Sequence, residues 1–115
     1  MKFFREAIRN FLAPIQHLLD DETVTEIMIN SPTEIWVEIN GKVKKTEASF
    51  PDEDSLRAAI NNIAQSVGRV INDSEPRLDA RLPNGYRIHA VLPPCSRKGT
   101  CVAIRKPDPG TRGPS

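Results

Sequence analysis

Three arginines in the last third of the chain, Arg81, Arg87 and Arg105, have the type and spacing to do chemistry. Each falls on the polar side of an alternating apolar/polar pattern. Residues 77–82 place Leu78, Ala80 and Leu82 on one face and Arg77, Asp79 and Arg81 on the other. Residues 86–92 set Tyr86, Ile88, Ala90 and Leu92 against Arg87, His89 and Val91. Residues 101–105 set Val102 and Ile104 against Cys101, Ala103 and Arg105. The turn at Pro83-Asn84-Gly85 decides the register. A three-residue turn with Gly85 in the left-handed region pairs Leu82 with Tyr86, Arg81 with Arg87, and Ala80 with Ile88. A two-residue turn opposes Arg81 to Ile88 and breaks the face pattern. Pairing Val91 with Cys101 across the next loop then places Arg87 opposite Arg105. Like charges directly opposite destabilise a sheet, and Asp79 can neutralise only one of them. A phosphate over the row relieves the rest through charge-assisted, bidentate bonds. The alternative is that the arginines splay into solvent, or pair with Glu75 or with acids of the first half.

Other chemistries find little support. His17 and His89 lie far apart in sequence, and Cys95, Cys101 and His89 do not make a zinc-ligand spacing. No nucleophile has its base at a recognisable spacing. Cys95 and Cys101 can approach across the 93–99 loop, but in a cytoplasmic protein two thiols are expected rather than a disulfide. None of the six glycines opens a G-x-x-x-x-G-K-[ST] phosphate loop. The chain alone is therefore expected not to hydrolyse nucleotide.

The charge distribution agrees with a localised anion-facing surface. Residues 1–68 hold 7 Lys/Arg and 11 Asp/Glu, a net of −4, whereas residues 69–115 hold 9 and 4, a net of +5. A domain that binds nucleic acid through counterion release carries a stronger overall positive bias than the +1 found here. At 115 residues, with 38% hydrophobic and 27% charged content, the chain suits one globular domain. Its longest apolar runs are far short of a membrane span. Arg5, Glu6, Arg9 and Asn10 break the N-terminus as a secretory signal, so a cytoplasmic location is expected.

The elements that position the arginines follow from periodicity and punctuation. Residues 3–19 read as an amphipathic helix, kinked or split by Pro14 near Ala13. Its wide apolar stripe packs on its own domain, or on a neighbouring subunit or an upstream segment; few basic residues support a membrane-surface role. Residues 24–30 and 34–39 read as strands, and Asn40-Gly41 is a two-residue hairpin signal leading into a return strand over 42–46. Trp36 lies opposite Ile35 and Val37 and is expected to pack half-buried rather than serve as a ligand platform. Pro51-Asp52-Glu53-Asp54 opens a second helix with acid in its first turn. Leu56, Ala59, Ile60, Ile63, Ala64 and Val67 form its stripe, and Gly68 stops it. Residues 69–71 form a short strand or an extended connection. Residues 107–115, with their prolines and glycines, read as a flexible tail or linker remnant.

Several of these stretches together resemble a known family. LLDDETVTEIMIN (18–30), EIWVEINGKV (34–43), GRVINDSEPRLDARLPNGYRIHAVLPP (68–94), then Gly99 and AIRK (103–106), resemble the N-terminal domain of the type II/IV secretion ATPases, within these the pilus-assembly and conjugation-type motors. The resemblance covers roughly residues 15–106. It implies an α+β, PAS-like domain over 1–106, with a mostly antiparallel sheet, an N-terminal helix and a second helix packed on it. It implies a hexameric cytoplasmic motor, peripheral to the inner membrane, that binds ATP with magnesium between this domain and a C-terminal RecA-like ATPase domain. The family's phosphate-contacting arginines carry over to Arg87, in GYR, and Arg105, in AIR, with Arg81, in DARL, as a third.

The motor domain is absent from the family pattern here, so the chain alone is expected to hold ATP poorly. The implied partners are that motor domain, neighbouring subunits, and inner-membrane platform components of a secretion or pilus machine. An adaptor that binds an acidic partner without nucleotide is the alternative. A stand-alone small-molecule sensor would need an apolar cavity.

Overall fold

The computed structural model describes residues 12–82, 85–93 and 99–107. Six strands form one sheet: β1 (Val24–Ser31), β2 (Glu34–Ile39), β3 (Lys42–Lys45), β4 (Arg77–Arg81), β5 (Arg87–Val91) and β6 (Cys101–Arg105). A 3-10 turn at Ala13–Ile15 runs into the short helix α1 (Gln16–Asp20), and the longer helix α2 (Glu53–Ser66) joins β3 to β4. The strand order is β3-β2-β1-β6-β5-β4, and every neighbouring pair is antiparallel. The fold is therefore α+β, as expected.

Pro14 sits in the first turn of the 3-10 segment, where a missing N–H matters least. Ile15, at φ −118°, separates that segment from α1. The expected break thus falls between Leu12 and Gln16, while the rest of the anticipated first helix lies outside the described residues. Asn40 and Gly41 both take positive φ, 54° and 78°, which suits the primed turn joining β2 to β3. Asp52 caps α2, its carboxylate accepting the Ser55 N–H at 2.7 Å. That bond, followed by the Ser55 side chain, holds the Asp52 pKa below the usual carboxylate value. Residues 69–71 are a connection and not a strand; Ile71 inserts into the core.

One sheet face is the core wall. Ile27, Ile29, Ile35, Val37, Leu78, Ala80, Ile88, Ala90, Val102 and Ile104 are buried there in one cluster with Leu56, Ala59, Ile60, Ile63 and Ala64 of α2. Leu12, Ile15, Leu18 and Leu19 join the same cluster. Each fully buried Leu or Ile contributes about 1.5–3 kcal/mol of transfer free energy. That alternation of buried and exposed residues fixes register, because a one-residue slip would turn every arginine inward.

Candidate functional site

The polar face of the sheet carries the arginines. Cα partners run Arg81↔Arg87 between β4 and β5, and Arg87↔Arg105 between β5 and β6. Both pairings match the register deduced from face pattern. Leu82 donates its N–H to the Tyr86 carbonyl at 2.7 Å and Gly85 to Leu82 at 2.9 Å, which closes the turn. Adjacent strands lie about 4.8 Å apart, so the three Cα atoms span about 10 Å. All three arginines are exposed.

Their neutralisation is incomplete. Arg87 approaches Asp79 at 3.6 Å, and both side chains are mostly exposed (59% and 62%), so the pair is weak. Among the described residues, neither Arg81 nor Arg105 has a carboxylate within salt-bridge distance. Glu75 does not serve them; its N–H bonds the Asn72 side chain in a local turn. Arg57, on α2, does find a partner, Asp73, in the connection that precedes β4.

The row continues past β6 with the opposite sign. Arg105 faces Glu26 on β1, and Glu26 faces Glu38 on β2. Across five strands the sequence of side chains is therefore Arg81, Arg87, Arg105, Glu26, Glu38. Sequence reasoning missed the two glutamates as neighbours of the site. Their phase was visible, since Glu26 alternates with Ile27 and Ile29. Their adjacency was not, because β1 and β6 are joined by no turn. One step along the strands, Trp36, Met28, Ala103 and His89 form a parallel row. Trp36 is half-buried there, with its Nε1 donating to Glu34 at 3.4 Å, in keeping with a packing role.

The start of β6 is anchored by a buried contact. Thr100 is fully buried; its N–H donates to both Glu53 carboxylate oxygens at 3.1 Å, and its hydroxyl donates to Oε2 at 2.5 Å. Gly99 makes room for this: at φ 117°, a Cβ there would lie 2.7 Å from Glu53 Oε1. The N-terminus of α2 thus sets where β6 begins, and hence where Arg105 ends up. Cys101 follows, its Sγ donating to the Asn30 carbonyl at 3.5 Å; Cys95 lies outside the described residues.

Elsewhere, a surface cleft of about 290 Å³ is bordered by Asp54, Arg57, Asn61 and Asn72 with Ile71 and Leu92. Its lining mixes these polar side chains with the apolar Ala58, Ile71 and Leu92. Among the described residues, no group of three or more His, Cys, Asp or Glu side chains is placed to hold a metal ion. No described helix is long and apolar enough to cross a membrane.

Known proteins resemble this chain in sequence and fold. A sequence model of the family described as type II/IV secretion system protein matches residues 9–111. The chain is 38% identical over 105 residues to the type IV secretion system protein VirB11 of Brucella suis biovar 1, covering 90% of this chain and 29% of that protein. It is 32% identical over 105 residues to the type IV secretion system protein PtlH of Bordetella pertussis, covering 90% and 31%. The crystal structure of the VirB11 ATPase from the Brucella suis type IV secretion system in complex with sulphate superposes with a TM-score of 0.82 at 33% identity, over 89% of this chain and 32% of that one. The chain thus spans about a third of the length of these relatives.

Proposed function

The chain belongs to the type II/IV secretion system protein family, as an N-terminal domain of its secretion ATPases, and we propose that it lends Arg87 and Arg105, with Arg81, to the phosphates of ATP. The observation that carries this is the register-paired row of three exposed guanidinium groups with Asp79 as its single ion-pair partner among the described residues. Such a row has donors in excess and no acceptors. An anion with several oxygens about 3 Å apart uses those donors bidentately and removes the cross-strand repulsion. Sulphate, held by the Brucella suis relative, belongs to the same class of tetrahedral oxyanion.

In this role the arginines act electrostatically. They stabilise charge on the terminal phosphate oxygens without taking or giving a proton, as an arginine finger does. Their backbones lie on paired strands, so little reorganisation accompanies binding. Magnesium does not fit this row, because a guanidinium has no lone pair to offer a metal. The ion and the remaining phosphate contacts belong to a C-terminal RecA-like motor domain, which closes over the polar face in a hexamer. The same reading places the assembly in the cytoplasm, beneath inner-membrane components of a secretion or pilus machine.

The test is turnover in the longer motor that carries this domain. Arg87→Ala and Arg105→Ala should each lower ATPase activity by roughly 100-fold or more, with the fold intact by circular dichroism. Unchanged turnover in both variants defeats the assignment. Docking of the purified motor domain onto this chain that ignores nucleotide points instead to an adaptor for an acidic partner.

A further inference from the structure

The segment leaving β6 is held from two sides. Lys106 follows Arg105 directly, and its backbone N–H donates to the Thr25 carbonyl at 3.0 Å. Its side chain reaches the end of α1, where the ammonium donates to the carbonyls of Leu18 at 3.1 Å and Asp21 at 2.7 Å. Each carbonyl also accepts a backbone N–H, Leu18 from Asp21 at 3.4 Å and Asp21 from Val24 at 3.1 Å, so the ammonium is a second donor to both. The surrounding turn is closed independently: the Asp21 carboxylate accepts the Thr23 N–H at 2.9 Å and its hydroxyl at 2.6 Å. Lys106 is half-buried, and burial lowers its pKa, while Asp21, Asp20 and Glu22 push it back up. On the other side Pro107 lies close to Gly85, in the turn of the arginine hairpin: a Cβ added at Gly85 would lie 3.4 Å from Pro107 Cγ. Two consecutive residues therefore tie the end of α1, the exit of β6 and the turn between Arg81 and Arg87 into one unit.

We propose that Lys106 is a positioning residue for the arginine row, holding Arg105 in place beside Arg87 and coupling the chain's exit from the sheet to the phosphate-binding face. The role rests on the phosphate assignment above. Lys106 acts through Arg105 and not on the ligand, since two of its three N–H bonds are committed to carbonyls. An ordinary helix cap would stabilise the fold and leave the row indifferent. A positioning residue changes the affinity of molecules that are already folded.

The experiment titrates the 115-residue chain with inorganic tripolyphosphate, following backbone amide resonances at a temperature where every variant is folded. Lys106→Met keeps the stem and loses charge and donors; Lys106→Arg keeps both; Arg105→Gln reports on the site itself. Lys106→Met should weaken binding about 3- to 10-fold, with Lys106→Arg recovering most of the loss. The loss should persist at about 0.5 M salt, where long-range attraction is screened. A lower melting temperature with affinity within about 2-fold of the wild type makes Lys106 a cap only and overturns the proposal, as does a loss that disappears at high salt. Wild-type binding should be weak, in about the millimolar range, because the motor domain's share of the phosphate contacts is missing; equal binding by Arg105→Gln defeats the phosphate assignment first. Binding that needs Arg105 and ignores Lys106 defeats the role of Lys106 alone.

Discussion

Removing Arg81 or Arg87 from the row should make the free domain more stable. In Arg81→Gln, Arg87→Gln and Arg105→Gln the replaced side chain is exposed, so little burial is lost. What changes is charge. Two guanidinium groups about 6 Å apart in a water-like dielectric repel by about 0.7 kcal/mol, within the range for cross-strand pairs. Arg81, on the edge strand, has Arg87 as its one cross-strand neighbour in the row, so its removal should gain about 0.5 kcal/mol. Arg87 has like charges on both sides and one weak partner, Asp79 at 3.6 Å, so its removal should gain about 0.5–1 kcal/mol. Arg105 sits between Arg87 and Glu26, so its repulsion and attraction nearly cancel and its removal should change stability little. For a domain of this size a gain of 0.5–1 kcal/mol raises the melting temperature by roughly 2–5 °C. Thermal unfolding by circular dichroism at low ionic strength reads this, and repetition at about 0.5 M salt should shrink the gains in Arg81→Gln and Arg87→Gln. A fall of about 2 °C or more in both Arg81→Gln and Arg87→Gln would show that the row stabilises the fold by itself, and the premise that it needs an anion would be wrong.

Further predictions concern the supports of the row. Glu53→Ala leaves the buried Thr100 N–H and hydroxyl without their acceptor and should cost about 3 kcal/mol in urea unfolding, with Glu53→Gln losing about half of that. A midpoint unchanged from wild type in Glu53→Ala would remove this anchor from the account. Asp52→Ala should lower the melting temperature by roughly 5 °C through loss of the α2 cap, while Asp52→Asn should lower it far less. The cap is also pH-sensitive: the folded-state pKa of Asp52 lies below the unfolded value of 3.8, so its contribution is present above that pH and is lost as pH falls through the folded value. Asp52→Asn should accordingly lose less stability than wild type on acidification below 3.8, and parallel acid-unfolding curves would contradict this.

How much was legible beforehand depends on how local the cause was. The arginine hairpin could be read because Leu78, Ala80, Ile88 and Ala90 must face inward together, and one turn length satisfies that constraint. The stop of α2 at Gly68 and the Asn40-Gly41 turn are equally local. Three features were hidden because they join distant segments. The β1–β6 pairing brings Glu26 to Arg105 with no connecting turn to announce it. The Glu53–Thr100 contact spans 47 residues, and a glutamate in the first turn of a helix has a sufficient local explanation in the dipole. The Lys106 contacts span 85 and 88 residues, and a lysine after a strand reads as ordinary surface.

The most direct test is a crystal structure of the longer motor with a non-hydrolysable ATP analogue bound. Guanidinium nitrogens of Arg87 and Arg105 should lie about 2.7–3.2 Å from phosphate oxygens, on strands β5 and β6 in the same register. Both guanidinium groups turned to solvent or to a protein carboxylate, with the phosphates fully bound by other residues, would contradict the phosphate assignment.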